Sequence, residues 1–432
     1  MAITKERIKS KQVTLGVVGL GYVGYPLSLV FVEAGVRVIG FDIDDSKITA
    51  ITNGVSYIKH INHGRLQKAL ATGLFHATSD FSQVANCDAI IICVPTPLDA
   101  HLEPDLHYII DTCKTIAPHL KPHTLVSLES TTWPGTTDEV VKKILETNTS
   151  LEVGRNLYLC FSPEREDPGN QSFNTKTIPK LVGGIDQESL ELAVGLYSLG
   201  IDNVVALSST KVAEAAKLFE NIFRSVNIAL VNEIKIILEP MGIDVWEVIQ
   251  AAATKPFGFM PFWPGPGLGG HCIPIDPFYL TWKAKEYGVR TRFIELAGEI
   301  NRRMPHYVVE RVQNCLNEHC KPLKGSRILL LGLAYKSDVD DMRESPSFEL
   351  IKLLEEKGAT VDYHDPFISE IGMTREYSQY AGRKTQPLAK NYDCFVLATK
   401  HSCFSSAEIL SYMVPIVDTR NFFPKHELVY RA

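Results

Sequence analysis

The sequence predicts an α/β protein in which two Rossmann-like, doubly wound parallel-sheet domains are joined by a long-helix central domain. Three observations carry this prediction. Gly19-Leu20-Gly21-Tyr22-Val23-Gly24 stands between an apolar run and a helical stretch. A span of about thirty residues from Ser208 keeps apolar side chains at helical spacing. A second strand-turn-helix-strand series starts at Ser326 and reads as a degenerate copy of the first. With 432 residues the chain is longer than one hydrophobic core normally supports.

In chain order, VTLGVVGL (13–20) reads as a strand, YPLSLVFVEAG as a helix closed by Gly35, and VRVIGFD as the next strand. Further β-like runs are AIIICVP (89–95), TLVSLES (124–130) and LYLCFSP (157–163), separated by helical stretches. That alternation builds a parallel sheet whose ligands bind where the strands end. The long helix from Ser208 has Ser209 or Thr210 as its cap, and Pro240 with Gly242 marks its end. A mainly helical region continues to about residue 319, interrupted by the Pro/Gly-rich PFGFMPFWPGPGLGG. SRILLLGLAYK (326–336), SPSFELIKLLEEKG and ATVDYHDP supply the second series. The expected division is 1–207, 208–319 and 320–432.

Composition narrows the class. The chain is 45% hydrophobic and 22% charged, the profile of a globular protein. A net charge of −6 argues against nucleic acid or an anionic membrane as partner, because binding to either needs clustered Lys and Arg. Nine cysteines with no CxxC pair, and an N-terminus without a signal-type apolar region, fit a reducing cytoplasm. Val13 to Val32 is uncharged and long enough to span a bilayer, but its five interrupting residues (Gly16, Gly19, Gly21, Gly24 and Pro26) favour the tight-turn reading.

The glycine pattern is weak alone. It gains force from Asp42, 23 positions after Gly19 at the end of the second strand. Gly19 permits the turn, Gly21 the approach of a pyrophosphate, and Gly24 close packing of helix on strand. A carboxylate at Asp42 accepts from a ribose diol and repels a 2′-phosphate, which favours NAD over NADP. Lys47 follows on the next helix and reaches toward the same end of the cofactor; a solvated surface lysine is the equal alternative.

A second constellation is Gly265-Pro266-Gly267-Leu268-Gly269-Gly270-His271-Cys272-Ile273-Pro274-Ile275-Asp276-Pro277. A cysteine behind a glycine-dense loop is accessible to a bulky substrate and is a candidate nucleophile. Asp276 shares its face if a turn of helix starts near Cys272. The other eight cysteines, at 87, 93, 113, 160, 315, 320, 394 and 403, read as inert buried residues. No metal site is expected, since His271 and Cys272 lack a second pair of ligands. On the long helix Lys217 and Asn221 are four residues apart and project from one face, along which Glu214 also lies, amid Ala213, Leu218, Phe219 and Ile222.

These residues, together with VPTP (94–97), Ser130-Thr131, Ser162-Pro163-Glu164 and YKSDVDDMRESPS (335–347), make the chain resemble the nucleotide-sugar 6-dehydrogenases over nearly its whole length. The resemblance implies an N-terminal NAD-binding domain, a central domain that dimerises and carries catalysis, and a C-terminal domain gripping UDP. It implies a four-electron oxidation of a sugar C6 alcohol to the acid through a thiohemiacetal and a thioester on Cys272. Water would be activated by Asp276 or Glu164, with Lys217 and Asn221 stabilising charge on the C6 oxygen and Thr131 near the nicotinamide. Tyr22, Val23, Pro95, Thr96 and Arg343 join the cofactor set. Arg165, Gly269, Lys336 and Arg420 join the substrate set. A single-oxidation hydroxyacid dehydrogenase needs no cysteine, and a non-catalytic NAD-binding protein needs none of Cys272, Asp276, Lys217 and Glu164.

The family's UDP-glucose members continue SPE with a short apolar stretch and a second glutamate; here Arg165-Glu166-Asp167-Pro168-Gly169 follows, so that glutamate's role does not transfer. SPERED and PFGFMPF resemble the N-acetylhexosamine branch, and the expected substrate is UDP-N-acetylglucosamine, ahead of the UDP-sugars of N-acetylgalactosamine, N-acetylmannosamine or glucose. Lys255-Pro256-Phe257-Gly258-Phe259-Met260-Pro261-Phe262-Trp263 reads as a substrate-covering loop, with plain core as the alternative. An acetamido methyl packed on it would gain about 1 kcal/mol. Its amide also needs a hydrogen-bond partner, for which Arg165 is one candidate.

Overall fold

The computed structural model describes the chain apart from residues 1, 59–60, 100–102, 166–172, 271–272 and 375. The chain divides into two compact units, Met1–Glu220 with Phe278–Val289, and Asn221–Pro277 with Arg290–Ala432.

The first unit runs α1 (Lys5–Lys9), β1 (Thr14–Val18), α2 (Gly24–Glu33), β2 (Arg37–Phe41), α3 (Asp45–Thr52), α4 (His63–Ala71), β3 (Phe75–Thr78), β4 (Ala89–Ile92), α5 (His107–Ile116), β5 (Thr124–Leu128), α6 (Lys142–Thr147), β6 (Leu157–Phe161), β7 (Lys180–Gly184), α7 (Gln187–Tyr197) and β8 (Val204–Leu207). Its sheet has the order β3-β2-β1-β4-β5-β6-β7-β8. β1 lies between β2 and β4, with Leu15 opposite Val38 and Ala89. Central strands buried on both faces explain the unbroken apolar runs of the sequence. Strand order reverses between β1 and β4, and a doubly wound sheet opens its ligand crevice at such a switch point.

Two expectations are corrected. The sheet is not wholly parallel: β7 pairs antiparallel with β6 through Cys160–Gly184 and Phe161–Gly183, and β8 then follows β7 in parallel. A parallel return needs a crossover, usually a helix, and the described residues between Phe161 and Lys180 form none. Cys320 and Cys403 are exposed rather than buried. The uncharged Val13–Val32 stretch forms β1 and the ten-residue α2, whose side chains from Tyr25 to Val32 are all buried. Among the described residues no helix is long and apolar enough to cross a membrane.

α8 (Thr210–Leu238) begins in the first unit and ends in the second. Ser209 Oγ caps it by accepting from Val212 N at 3.3 Å, and Gly242 closes the end at φ +71°. α9 (Val245–Ala253), α10 (Asp276–Glu286) and α11 (Arg292–Glu318) follow.

The second unit's sheet is built from β9 (Arg327–Leu331), β10 (Thr360–His364), β11 (Cys394–Leu397), β12 (Ile416–Asp418) and β13 (Val429–Arg431), with α12 (Pro346–Glu356) and α13 (Ser406–Leu410) among them. The order β10-β9-β11-β12-β13, parallel throughout, is the other common doubly wound arrangement, and its switch point lies between β9 and β11. One core cluster of this unit packs α11 and α12 on the sheet through Val308, Val312, Leu330, Phe348 and Leu354.

Candidate active site

At the first unit's switch point the three glycines divide their work by sterics. Gly19 has φ +92°, and a Cβ there would stand 2.6 Å from Cys93 O on the adjoining strand end. At Gly24 a Cβ would overlap Gly19 O. Gly21 differs, because a Cβ there would meet nothing within 4 Å. Open space over that backbone is what an approaching pyrophosphate needs. Val23, the residue before α2, makes no side-chain capping bond; Tyr25 N donates to Gly21 O at 3.2 Å and Pro26 has no N–H, so of the first turn it is Gly24 N that is left for an anion. Tyr22 is half-buried beside them.

Asp42, buried just past β2, accepts from Leu20 N at 2.9 Å and Asp44 N at 3.0 Å. Lys47 Nζ approaches it at 3.0 Å, so the lysine expected at this end of the cofactor is paired with the expected aspartate. Three donors leave a carboxylate, with about four acceptor sites, room for a ribose hydroxyl. The residues therefore fit a dinucleotide. After β4, Pro95 and Thr96 pass over the switch point. Thr96 O accepts from Tyr279 Oη at 2.8 Å, and Ser130 Oγ donates to Val94 O at 2.7 Å. Thr131, after β5, is half-buried.

The contrast among the glycines gives a prediction. Gly21→Ala should leave the unfolding midpoint of the unliganded protein within about 2 °C of wild type, while weakening NAD at least about tenfold by closing the approach to the pyrophosphate. An equal loss of stability and affinity would make Gly21 a packing residue instead. Differential scanning fluorimetry and NAD titration read the two quantities separately.

Deeper in this unit lies a charged cluster that sequence reasoning did not identify. Lys180 Nζ is 2.6 Å from Glu129 Oε2 and 3.7 Å from Glu164 Oε2. Tyr197 Oη donates to Glu129 Oε1 at 2.6 Å. Burial raises the Glu129 carboxyl above its ordinary range against the pull of Lys180. The expected base Glu164 thus sits at the half-buried end of a buried chain of charge. Arg165 is engaged by Glu220 at 2.8 Å and donates to Pro179 O at 2.6 Å.

On α8, Lys217 is buried at 7% exposure, although most helical lysines are solvated. Glu214, placed by its spacing on the same face, has a different task. Its carboxylate accepts from Gly135 N at 2.5 Å, Thr137 N at 2.9 Å and Thr137 Oγ1 at 2.7 Å, and burial raises it to about 7. Those bonds satisfy the start of the helical turn 136–141 and bind α8 to it.

In the second unit Asn221 and Asp276, 55 residues apart, are both buried, and Asn221 Nδ2 donates to Asp276 Oδ2. Asp276 is the first residue of α10 and follows a turn over 273–275, so the same-face argument that tied it to position 272 by helical spacing does not apply. Cys272 itself, with His271, lies outside the described residues. The glycines ahead of it are required by packing. A Cβ at Gly269 would come 2.7 Å from Tyr335 Cβ, and Gly270 has φ +81° and donates to Arg343 O at 3.2 Å. This brings the loop onto the chain at the end of β9, where Lys336 is half-buried. Arg343 pairs with Asp341 at 2.6 Å. Arg420, just past β12, donates from Nε to Ala398 O at 2.8 Å and packs over Gly265. PFGFMPF is not core: Phe257 is 71% and Met260 63% exposed. Trp263 stacks on Trp246 with centroids 5.4 Å apart.

Comparison with known proteins identifies the family. Residues 13–200 match the NAD binding domain of the UDP-glucose/GDP-mannose dehydrogenase family, 211–303 its central domain and 329–425 its UDP binding domain. The chain is 36% identical to a UDP-N-acetyl-D-glucosamine 6-dehydrogenase of Pseudomonas aeruginosa, with 92% of each chain covered. It is 34% identical to a UDP-N-acetyl-D-mannosamine dehydrogenase of Pyrococcus horikoshii, over 91% of this chain and 90% of the relative. A solved structure of the UDP-D-ManNAc dehydrogenase from Pyrococcus horikoshii superposes with a TM-score of 0.87 at 31% identity, covering 97% of this chain and 98% of that one.

Proposed function

The chain belongs to the UDP-glucose/GDP-mannose dehydrogenase family, and from that membership we propose that it oxidises the C6 alcohol of UDP-N-acetylglucosamine to the uronic acid. The observation that carries the chemistry is the buried Asn221–Asp276 pair at the end of the glycine loop bearing Cys272, together with the buried Lys217 one turn before Asn221 on α8.

NAD, when bound, accepts the hydride in each of two oxidations. The amides at Gly21 and Val23 would hold its pyrophosphate, and Asp42 its adenine ribose. Lys217 and Asn221 are donors for the C6 oxygen, where negative charge develops as the alcohol proton leaves and again when Cys272 adds to the aldehyde. The Cys272 thiolate forms the C–S bond of a thiohemiacetal, which after the second oxidation is a thioester. Asp276, oriented by Asn221, or Glu164, held toward Lys180, takes a proton from the water that attacks the thioester carbonyl. Cys272 departs as thiolate and the acid is released. Arg420 and Lys336, at the carboxyl edge of the second sheet, take the UDP end.

The choice of sugar rests on PFGFMPF. Its Phe257 and Phe259 side chains are exposed, where an acetamido methyl gains from contact and a bare hydroxyl gains little. The Arg165 guanidinium, already bonded to Glu220 and Pro179 O, offers its remaining donors to the acetamido oxygen. The protein acts as a homodimer in this reading, since Phe223, Leu230 and Ile237 leave exposed apolar surface along α8. Steady-state kinetics on UDP-glucose and the three UDP-N-acetylhexosamines decide the substrate. The expected result is a kcat/KM for UDP-N-acetylglucosamine at least about tenfold above that for UDP-glucose. A preference for UDP-glucose overturns the assignment, and a preference for the mannosamine epimer moves it within the branch.

A further inference from the structure

Lys235 lies about four turns past Asn221 on α8, at 5% exposure, and its ammonium has no hydrogen-bond partner among the described residues. A buried ammonium left this way is costly, because it has given up water and received nothing equivalent. It stands over the ring of Tyr307, with Nζ 5.4 Å from the centroid. The charges facing it come from several elements of the same unit: Glu239 after α8, Arg311 on α11, and Asp418 and Arg420 at the end of β12.

The two carboxylates are spoken for. Glu239 pairs with Arg311 at 2.6 Å and accepts from Tyr307 Oη. Asp418 pairs with Arg431 and accepts from the amides of Arg420, Phe422 and Phe423. Once these pairs are formed, Lys235 and Arg420 remain, among the described residues, as two cations without a carboxylate of their own. Burial pushes the Lys235 ammonium down to about 7 and the Arg420 guanidinium down to about 10. The enclosure is also built, not incidental. Asn232, one turn before Lys235, accepts from Gly265 N at 3.0 Å and donates to Asn301 Oδ1 at 3.1 Å, and Asn301 donates to Ser225 O at 3.0 Å. This fixes the start of the glycine loop against α8, and a side chain at Gly265 would overlap the Arg420 guanidinium.

We propose that the buried Lys235 and the half-buried Arg420 form an anion site in the second unit that takes the phosphate groups of the nucleotide, making Lys235 a substrate-binding residue. The proposal rests on the nucleotide-sugar reading only for the identity of the anion. Two phosphates would supply the acceptors that Lys235 lacks, and their charge would hold it as ammonium. Binding therefore takes up a proton wherever free Lys235 is largely neutral, above about pH 7, and is weakest there.

Isothermal titration of the full chain at pH 8 with UDP, and separately with inorganic pyrophosphate, tests this. Titrations in two buffers of different ionisation enthalpy count the protons. Lys235→Met should weaken both anions at least tenfold and abolish proton uptake, and Lys235→Arg should restore affinity without the uptake. Thermal unfolding of unliganded Lys235→Met should stay at or above wild type, because methionine removes a buried charge at constant bulk. Equal affinity of wild type and Lys235→Met for UDP overturns the site while leaving the nucleotide reading intact. Pyrophosphate binding that depends on Lys235, without any binding of UDP, keeps the site and overturns the nucleotide reading. A wild type that binds neither anion overturns both.

Discussion

Replacing Cys272 with alanine is expected to abolish uronate formation, lowering the rate at least about a thousandfold, while the Kd for the UDP-sugar stays within about threefold of wild type. The wild-type enzyme should produce two NADH per sugar, because in the proposed mechanism the aldehyde is held covalently until the second oxidation is complete. Without the thiol no thioester forms, and hydrolysis has nothing to act upon. Any turnover left in Cys272→Ala should stop at the aldehyde, with one NADH per sugar. Stopped assays counting NADH against acid, with mass spectrometry of the wild-type protein after rapid quench, distinguish the cases. Acid production by the alanine variant at an undiminished rate would remove the covalent step.

The second large effect is expected at Lys217. Lys217→Met retains most of the side-chain volume and its apolar stem but removes the only charge, so folding should be little affected. If Lys217 stabilises an oxyanion, kcat should fall by about a hundred- to a thousandfold, since such donors act on charge that develops only in the transition state. KM should change far less. A variant in which KM rises and kcat is preserved would make Lys217 a ground-state binding residue. The buried Glu214, three residues earlier, provides the contrast: its carboxylate is consumed by Gly135 and Thr137, so its substitution should act on stability.

What could be read from the sequence depended on the range over which each feature is determined. The glycine turn, Asp42 and the strands β1, β4, β5 and β6 rest on local patterns in central, doubly buried strands, and all appear as expected. β3, β7 and β8 escaped because they lie toward the sheet edges. β8 has exposed Val205, and β3 is four residues with an exposed His76. The antiparallel pairing of β7 with β6 is a contact between chain segments, which apolar periodicity does not report. At the candidate site, helical spacing put Lys217, Asn221 and Glu214 on one face but could not say which was spent on capping another segment. The Asn221–Asp276 bond spans 55 residues, and the Lys180–Glu129 pair spans 51. Such contacts exist only after folding. A signal for Lys180 was present in principle, since a charged residue opening the apolar run KLVGG is one that the sheet must bury with a partner.

The turns that close β1 and β9 are near-replicas. Gly332 has φ +86° and sits 2.5 Å, measured from its absent Cβ, from Thr399 O, as Gly19 does from Cys93 O. Asp365 accepts from the amides of Leu333 and Ala334 at 2.7 and 3.0 Å, as Asp42 does from Leu20. Asp365 is then saturated by Phe367 N, Ile368 N and His401 Nε2, the imidazole holding it below the ordinary carboxylate range despite burial. The two turns share one arrangement, and in the second the acceptor that would meet a ribose is closed by histidine. The second turn therefore has the architecture of a dinucleotide site without its vacancy, because the carboxylate that stands where Asp42 stands is already occupied by His401.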